Sequence, residues 1–165
     1  MDPFTLNFTL LFSLLTCALP LLIGFLSGRS SPALPPALTV IGGIAVGLTL
    51  FGLLLDVAGM GAPGYAGLGY FVLGFVLTTV SFLFACFGGG LALGTAQRVG
   101  QQAWFVVVLF TAFFPLVGAL AIFLLVIARA IFFSALPLAP VFALIGAGAV
   151  LAYGVLGQRA ARPNV

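Results

Sequence analysis

The length and spacing of its apolar runs constrain this chain more than any other feature. About 20 apolar residues are needed for a helix to cross a bilayer. Five runs of that order follow one another, at Phe4 to Leu26, Ala37 to Val57, Leu68 to Leu93, Ala103 to Ile127 and Pro140 to Leu156. Helix breakers or polar residues separate most of them: residues 27–36 read SGRSSPALPP, 58–67 read AGMGAPGYAG and 95–102 read TAQRVGQQ. The fourth connector, 128–139, is more apolar (ARAIFFSALPLA) and suits a position along the membrane interface. The sequence therefore predicts an all-α integral membrane bundle of five transmembrane helices, forming one membrane domain over residues 1–165.

Charge supports the same class. Charged residues make up 4% of the chain, against roughly 25% in an ordinary globular domain. They are Asp2, Arg29, Asp56, Arg98, Arg129, Arg159 and Arg162. Scattered between apolar runs, the arginines encode topology and do not form a nucleic-acid patch. With no His, Lys or Glu, imidazole ligation of haem or zinc, Schiff-base lysines and paired glutamates are all excluded. No cofactor and no metal site is expected. Cys17 and Cys86 lie deep in separate apolar runs and read as small packing residues. The first run is longer than the apolar core of a signal peptide and lacks a basic start, so it is expected to remain as a membrane helix.

Five spans place Arg29, Arg98, Arg159 and Arg162 on one side and Arg129 alone on the other. The positive-inside rule then predicts an N-terminus outside and a C-terminus in the cytoplasm. The all-arginine basic set is compatible with a bacterial cytoplasmic membrane.

The first two helices are echoed by the last two. Thr16-x3-Pro20-Leu21 matches Thr111-x3-Pro115-Leu116, and Pro36-x4-Ile41-Gly42-x2-Ala45-Val46 matches Pro140-x4-Ile145-Gly146-x2-Ala149-Val150. An offset of three spans makes these two inverted two-helix repeats flanking a central helix. Pro20 and Pro115 are matched helix kinks, each freeing the carbonyl of a threonine four residues back. Corresponding interruptions in inverted halves are where small transporters place substrate.

In the central helix Thr78, Thr79 and Ser81 lie near mid-membrane. Thr16, Thr78, Ser81 and Thr111 are the candidate small polar site, facing one another across it. Asp56 and Arg129, at one level near the outer face, are the candidate ion pair. Close helix packing is expected at Gly24-x3-Gly28, Gly43-x3-Gly47, Gly90-x3-Gly94 and Ala143-x3-Ala147. Gly88-Gly89-Gly90 is expected either to break the central helix or to admit a neighbour.

Three function classes follow, in this order. A non-catalytic structural or assembly subunit of a larger membrane complex suits the absence of chemistry and the all-round apolarity. A small oligomeric transporter or channel for a neutral or hydrophobic solute suits the repeat and the matched prolines. A membrane enzyme comes last, since acid-base work would fall to Asp56, arginines, tyrosines or cysteines alone. The expected partners are the lipid bilayer and other membrane subunits, or a second copy of the chain.

Overall fold

The computed structural model describes residues 18–31, 35–99 and 138–161. These residues form four helices and no strand: α1 (Ala18–Ser30), α2 (Pro35–Gly61), α3 (Tyr65–Val99) and α4 (Leu138–Ala161), the last corresponding to the fifth apolar run. The fourth run, with Thr111 and Pro115, lies outside the described residues, as do Arg129 in the connector after it, Thr16 and Cys17.

The helices outrun the apolar runs that predict them. α3 begins three residues before Leu68 and continues through Thr95-Ala96-Gln97-Arg98, which the sequence reads as connector. Polar side chains do not end a helix whose backbone bonds continue, and no proline intervenes there. Between α2 and α3 only Ala62, Pro63 and Gly64 remain outside helix. Pro63 lacks the N–H needed to extend α2, and Gly64 takes the left-handed turn at φ 60°.

α2 and α3 form an antiparallel hairpin with a seam of regular spacing. The buried residues of α2 are Leu38, Gly42, Ala45, Thr49, Gly52, Asp56 and Gly59, alternating steps of four and three. Gly67, Gly74, Thr78, Ser81, Ala85, Gly88 and Ala92 are buried on α3 at compatible spacing. This 3.5-residue period keeps one face of each helix towards its partner over several turns. Small residues dominate the seam, so the backbones approach closely.

α1 runs parallel to α3 on a different face. Gly24 and Gly28 meet the backbone of Phe87 and Leu91, while Gly90 and Gly94 meet that of Leu21, Phe25 and Arg29. Two of the four small-residue motifs thus interlock with each other. A third, Ala143 and Ala147, is fully buried in α4, where Ala147 clusters with Ala45 and Ala85. The remaining motif behaves differently: among the described residues, Gly43 and Gly47 have nothing within 4 Å of the place a Cβ would occupy. They lie opposite the buried stripe of α2 and open outward. The triple glycine leaves α3 unbroken and admits neighbours, with Gly90 against α1 and Gly88 against Ile41 and Val150.

α4 packs antiparallel to α2. Gly42 meets the backbone of Leu151, Gly154 meets that of Leu38 and Thr39, and Gln158 Nε2 donates to Thr39 Oγ1 at 2.9 Å. Antiparallel contact is the arrangement inverted copies would take. Their buried stripes nevertheless differ by one residue from the register of the sequence match: Leu38, Gly42, Ala45 and Thr49 correspond in burial to Ala143, Ala147, Val150 and Gly154. One residue is about 100° of rotation on a helix. The matched Gly42 and Gly146 are both buried, but Ala45 is buried where Ala149 is half-buried and Val150 is buried where Val46 is half-buried, so the match in letters extends to facing only in part.

Candidate functional site

Along the hairpin seam three polar side chains of α2 and α3 follow the same helix faces as the glycines. Ser81 and Thr49 come first, both fully buried. Ser81 Oγ lies 2.7 Å and Thr49 Oγ1 2.9 Å from the Ala45 carbonyl oxygen, each within donating reach of it, and the two hydroxyls lie 2.5 Å apart. Two hydroxyls hold only two protons for these three contacts. One proton must lie between the oxygens, so in either arrangement one hydroxyl donates to the other and the second donates to Ala45. The pair is satisfied, and it ties the two helices together.

One and two turns further along α2 lie Gly52 and Asp56, facing Thr78 and Gly74 of α3. A Cβ at Gly74 would collide with Asp56 Oδ1 and stand 3.0 Å from the Gly52 carbonyl oxygen. A Cβ at Gly52 would stand 3.0 Å from Thr78 Oγ1 and 3.1 Å from the Gly74 carbonyl oxygen. The two missing side chains make a notch along the seam, with Asp56 Oδ1 and the Gly52 carbonyl oxygen at the Gly74 side and Thr78 Oγ1 and the Gly74 carbonyl oxygen at the Gly52 side. Asp56 is 6% exposed and Thr78 5%, and among the described residues neither Asp56 Oδ1 nor Thr78 Oγ1 has a hydrogen-bond partner. They do not bond to each other. Leaving a buried polar group without a hydrogen bond is costly, which makes a buried carboxyl oxygen without a partner the most conspicuous group in the described structure.

The sequence-predicted residues divide between this seam and the stretches outside the described residues. Thr78 and Ser81 both point to α2, whereas α1 packs on the opposite side of α3 through Phe87, Gly90, Leu91 and Gly94. Thr16 and Thr111 lie outside the described residues. Pro20 lines an apolar groove of about 260 Å³ with Ile23, Leu83, Phe84 and Phe87, and among the described residues no polar side chain lines it. Asp56 turns inward to α3, and its candidate partner Arg129 lies outside the described residues. Sequence reasoning missed Thr49, the partner of Ser81. The four-three spacing of small and polar residues from Leu38 to Gly59 carried that signal.

The far end of the bundle is basic. Arg98 Nη1 donates to the carbonyls of Arg29, at 3.1 Å, and Ser30, capping the exposed carbonyls of α1 from the last turn of α3. Arg159 lies in the last turn of α4 at the same end. Among the described residues no three His, Cys, Asp or Glu side chains gather as a metal site. No protein-family model matches the chain, and no curated protein or solved structure matches it either.

Proposed function

We propose that the chain is a multi-pass integral membrane protein acting as a non-catalytic structural or assembly subunit of a larger membrane complex. The observation that carries this reading is the distribution of residue types between inside and outside. Gly, Ala, Ser, Thr and Asp fill the seam of α2 and α3, whereas Val40, Ile44, Phe51, Leu54, Val57, Met60, Leu68 and Val72 lie exposed. Water would drive the reverse arrangement. Lipid favours this one, because packing of small residues and interhelical hydrogen bonds, not apolar burial, hold helices together there. α2 and α3 are each long and apolar enough to cross a bilayer, and only 28% of the most apolar part of α2 is buried, unlike the core helix of a soluble protein.

Direction and charge support the five-span arrangement. α1, α3 and α4 run one way and α2 the other, as an offset of three spans, an odd number, from α2 to α4 requires. Arg29, Arg98 and Arg159 share one end, which the positive-inside rule assigns to the cytoplasm. The open stripe of α2, with Gly43 and Gly47 between Val40, Ile44 and Phe51, is suited to receive another apolar helix. Purification in mild detergent tests the function. Stoichiometric co-purifying chains that are lost in a Gly43→Leu/Gly47→Leu variant support it. A self-contained oligomer that carries solute across liposomes would replace it with the second reading, a small transporter or channel, which the buried Asp56 favours.

A further inference from the structure

We propose that the notch between α2 and α3 is a binding site for one sodium ion, held by the Asp56 carboxylate, the Thr78 hydroxyl and the carbonyl oxygens of Gly52 and Gly74, with a proton on Asp56 as its competitor. The inference rests on the membrane reading and adds a ligand to it.

Asp56 and Thr78 are more than nine-tenths buried, Asp56 Oδ1 and Thr78 Oγ1 lack partners among the described residues, and they border the facing glycines Gly74 and Gly52. Their surroundings are oxygen-rich because Gly52 and Gly74 have no side chains to cover the backbone: each glycine's carbonyl stands about 3 Å from the place where the other's Cβ would be. A carbonyl oxygen already bonded within its helix keeps a second lone pair for a cation. Hard, all-oxygen surroundings suit an alkali or alkaline-earth ion over a transition metal. A single carboxylate balances a single positive charge, which selects a monovalent ion where uncompensated charge is costly.

The charged and titratable groups around the site narrow its chemistry further. Among the described residues, Arg29 and Arg98 stand at the other end of the bundle. Tyr70, packed beside Gly59, is the nearest phenol on the facing helix. Arg129 is the one further cation that the sequence places at this level. The glycine notch also explains why the site is small. A Cβ at Gly74 would take the position of the carboxylate oxygen, and one at Gly52 would press on the threonine hydroxyl.

A hydrophobic carbodiimide tests the proposal on the full-length protein in native membranes, because it modifies carboxyls that are protonated in apolar surroundings. Asp2 and Asp56 are the only acidic side chains, so peptide mass assigns the label. Asp56 is expected to label at low pH, and sodium chloride, but not choline chloride at equal ionic strength, is expected to suppress the label. Thr78→Val is expected to raise the sodium concentration for half-protection about tenfold, in keeping with the loss of one polar ligand, while the carboxyl still labels. Absence of Asp56 labelling, or labelling indifferent to sodium, overturns the site. So does an Arg129→Ala variant that alone unmasks Asp56 to the reagent with no sodium dependence, because the acid then belongs to an ion pair. Retention in the membrane pellet after alkaline carbonate checks the membrane reading separately. Protein that is retained but unprotected by sodium counts against the site alone.

Discussion

The Thr49 and Ser81 hydroxyls share the Ala45 carbonyl, so neither side chain holds the helices alone. Removing Ser81 Oγ leaves Thr49 free to donate to Ala45, its own helix carbonyl four residues back, and removing Thr49 Oγ1 leaves Ser81 its bond across the interface. Interhelical hydrogen bonds in membranes contribute on average about 0.6 kcal/mol, and at most about 1.7. Ser81→Ala is therefore expected to destabilise the detergent-solubilised protein more than Thr49→Val, since without Ser81 neither of these interhelical contacts remains, whereas without Thr49 the Ser81–Ala45 bond still crosses the interface. The double variant should lose less or more than the sum, and not the sum itself. Unfolding titrations of the four proteins measure the coupling, and simple additivity would show that the 2.5 Å contact has no energetic weight. Gly90 gives a larger effect by a different cause. A side chain there meets the Leu21 carbonyl and the Phe25 nitrogen, both backbone, so the neighbour cannot rotate away. Gly90→Leu should separate α1 from α3 and cost upwards of about 1–3 kcal/mol as overpacking does. Gly43→Leu, into open surroundings, should leave the monomer's melting temperature unchanged.

At the scale of elements, the number and type of the described helices were legible because apolar length and proline–glycine punctuation are local properties of the chain. Helix ends were less so. Arg98 reads as a connector residue in the sequence, but it sits in α3 and its guanidinium reaches the carbonyls of Arg29 and Ser30, a contact set by the parallel packing of α1 on α3. The pairing of small-residue motifs was hidden for a similar reason. Gly24-x3-Gly28 and Gly43-x3-Gly47 are equivalent as strings, yet the first faces α3 and the second faces outward. Rotation about the helix axis decides this, and rotation follows from the four-three stripe of α2, which places Gly42 inside and Gly43 outside. The same stripe would have found Thr49. The buried acid was visible as a residue but not as an inward one, because its direction depends on Gly74 of another helix. The arginine cap yields its own prediction. Arg98→Ala should leave α3 intact but fray the end of α1, seen as faster amide exchange at Ser27 to Ser31, with α3 unaffected. Lys at this position should restore part of the protection, having one charge but no planar fork.

For the whole molecule, the proposed membrane topology assigns one end of the bundle to the cytoplasm, and the helix directions make that testable with two positions. Ser30 closes α1 at the arginine-bearing end, and Tyr65 opens α3 at the other end, 93% exposed. Juxtamembrane arginines are held back on the cytoplasmic side during insertion, so the end carrying Arg29, Arg98 and Arg159 should stay inside. With Cys17 and Cys86 replaced by alanine, Tyr65→Cys should react with a membrane-impermeant thiol reagent in intact cells. Ser30→Cys should react only after the membrane is opened. The opposite pattern would reverse the proposed topology while leaving the bundle as it is, since packing is indifferent to which face is which. Equal reaction of both in intact cells would be more damaging, because two ends of one antiparallel hairpin cannot lie on the same side of a bilayer that α2 and α3 cross. That outcome would remove the membrane reading itself and, with it, the reason why small and polar residues line the seam of this bundle while large apolar ones cover it.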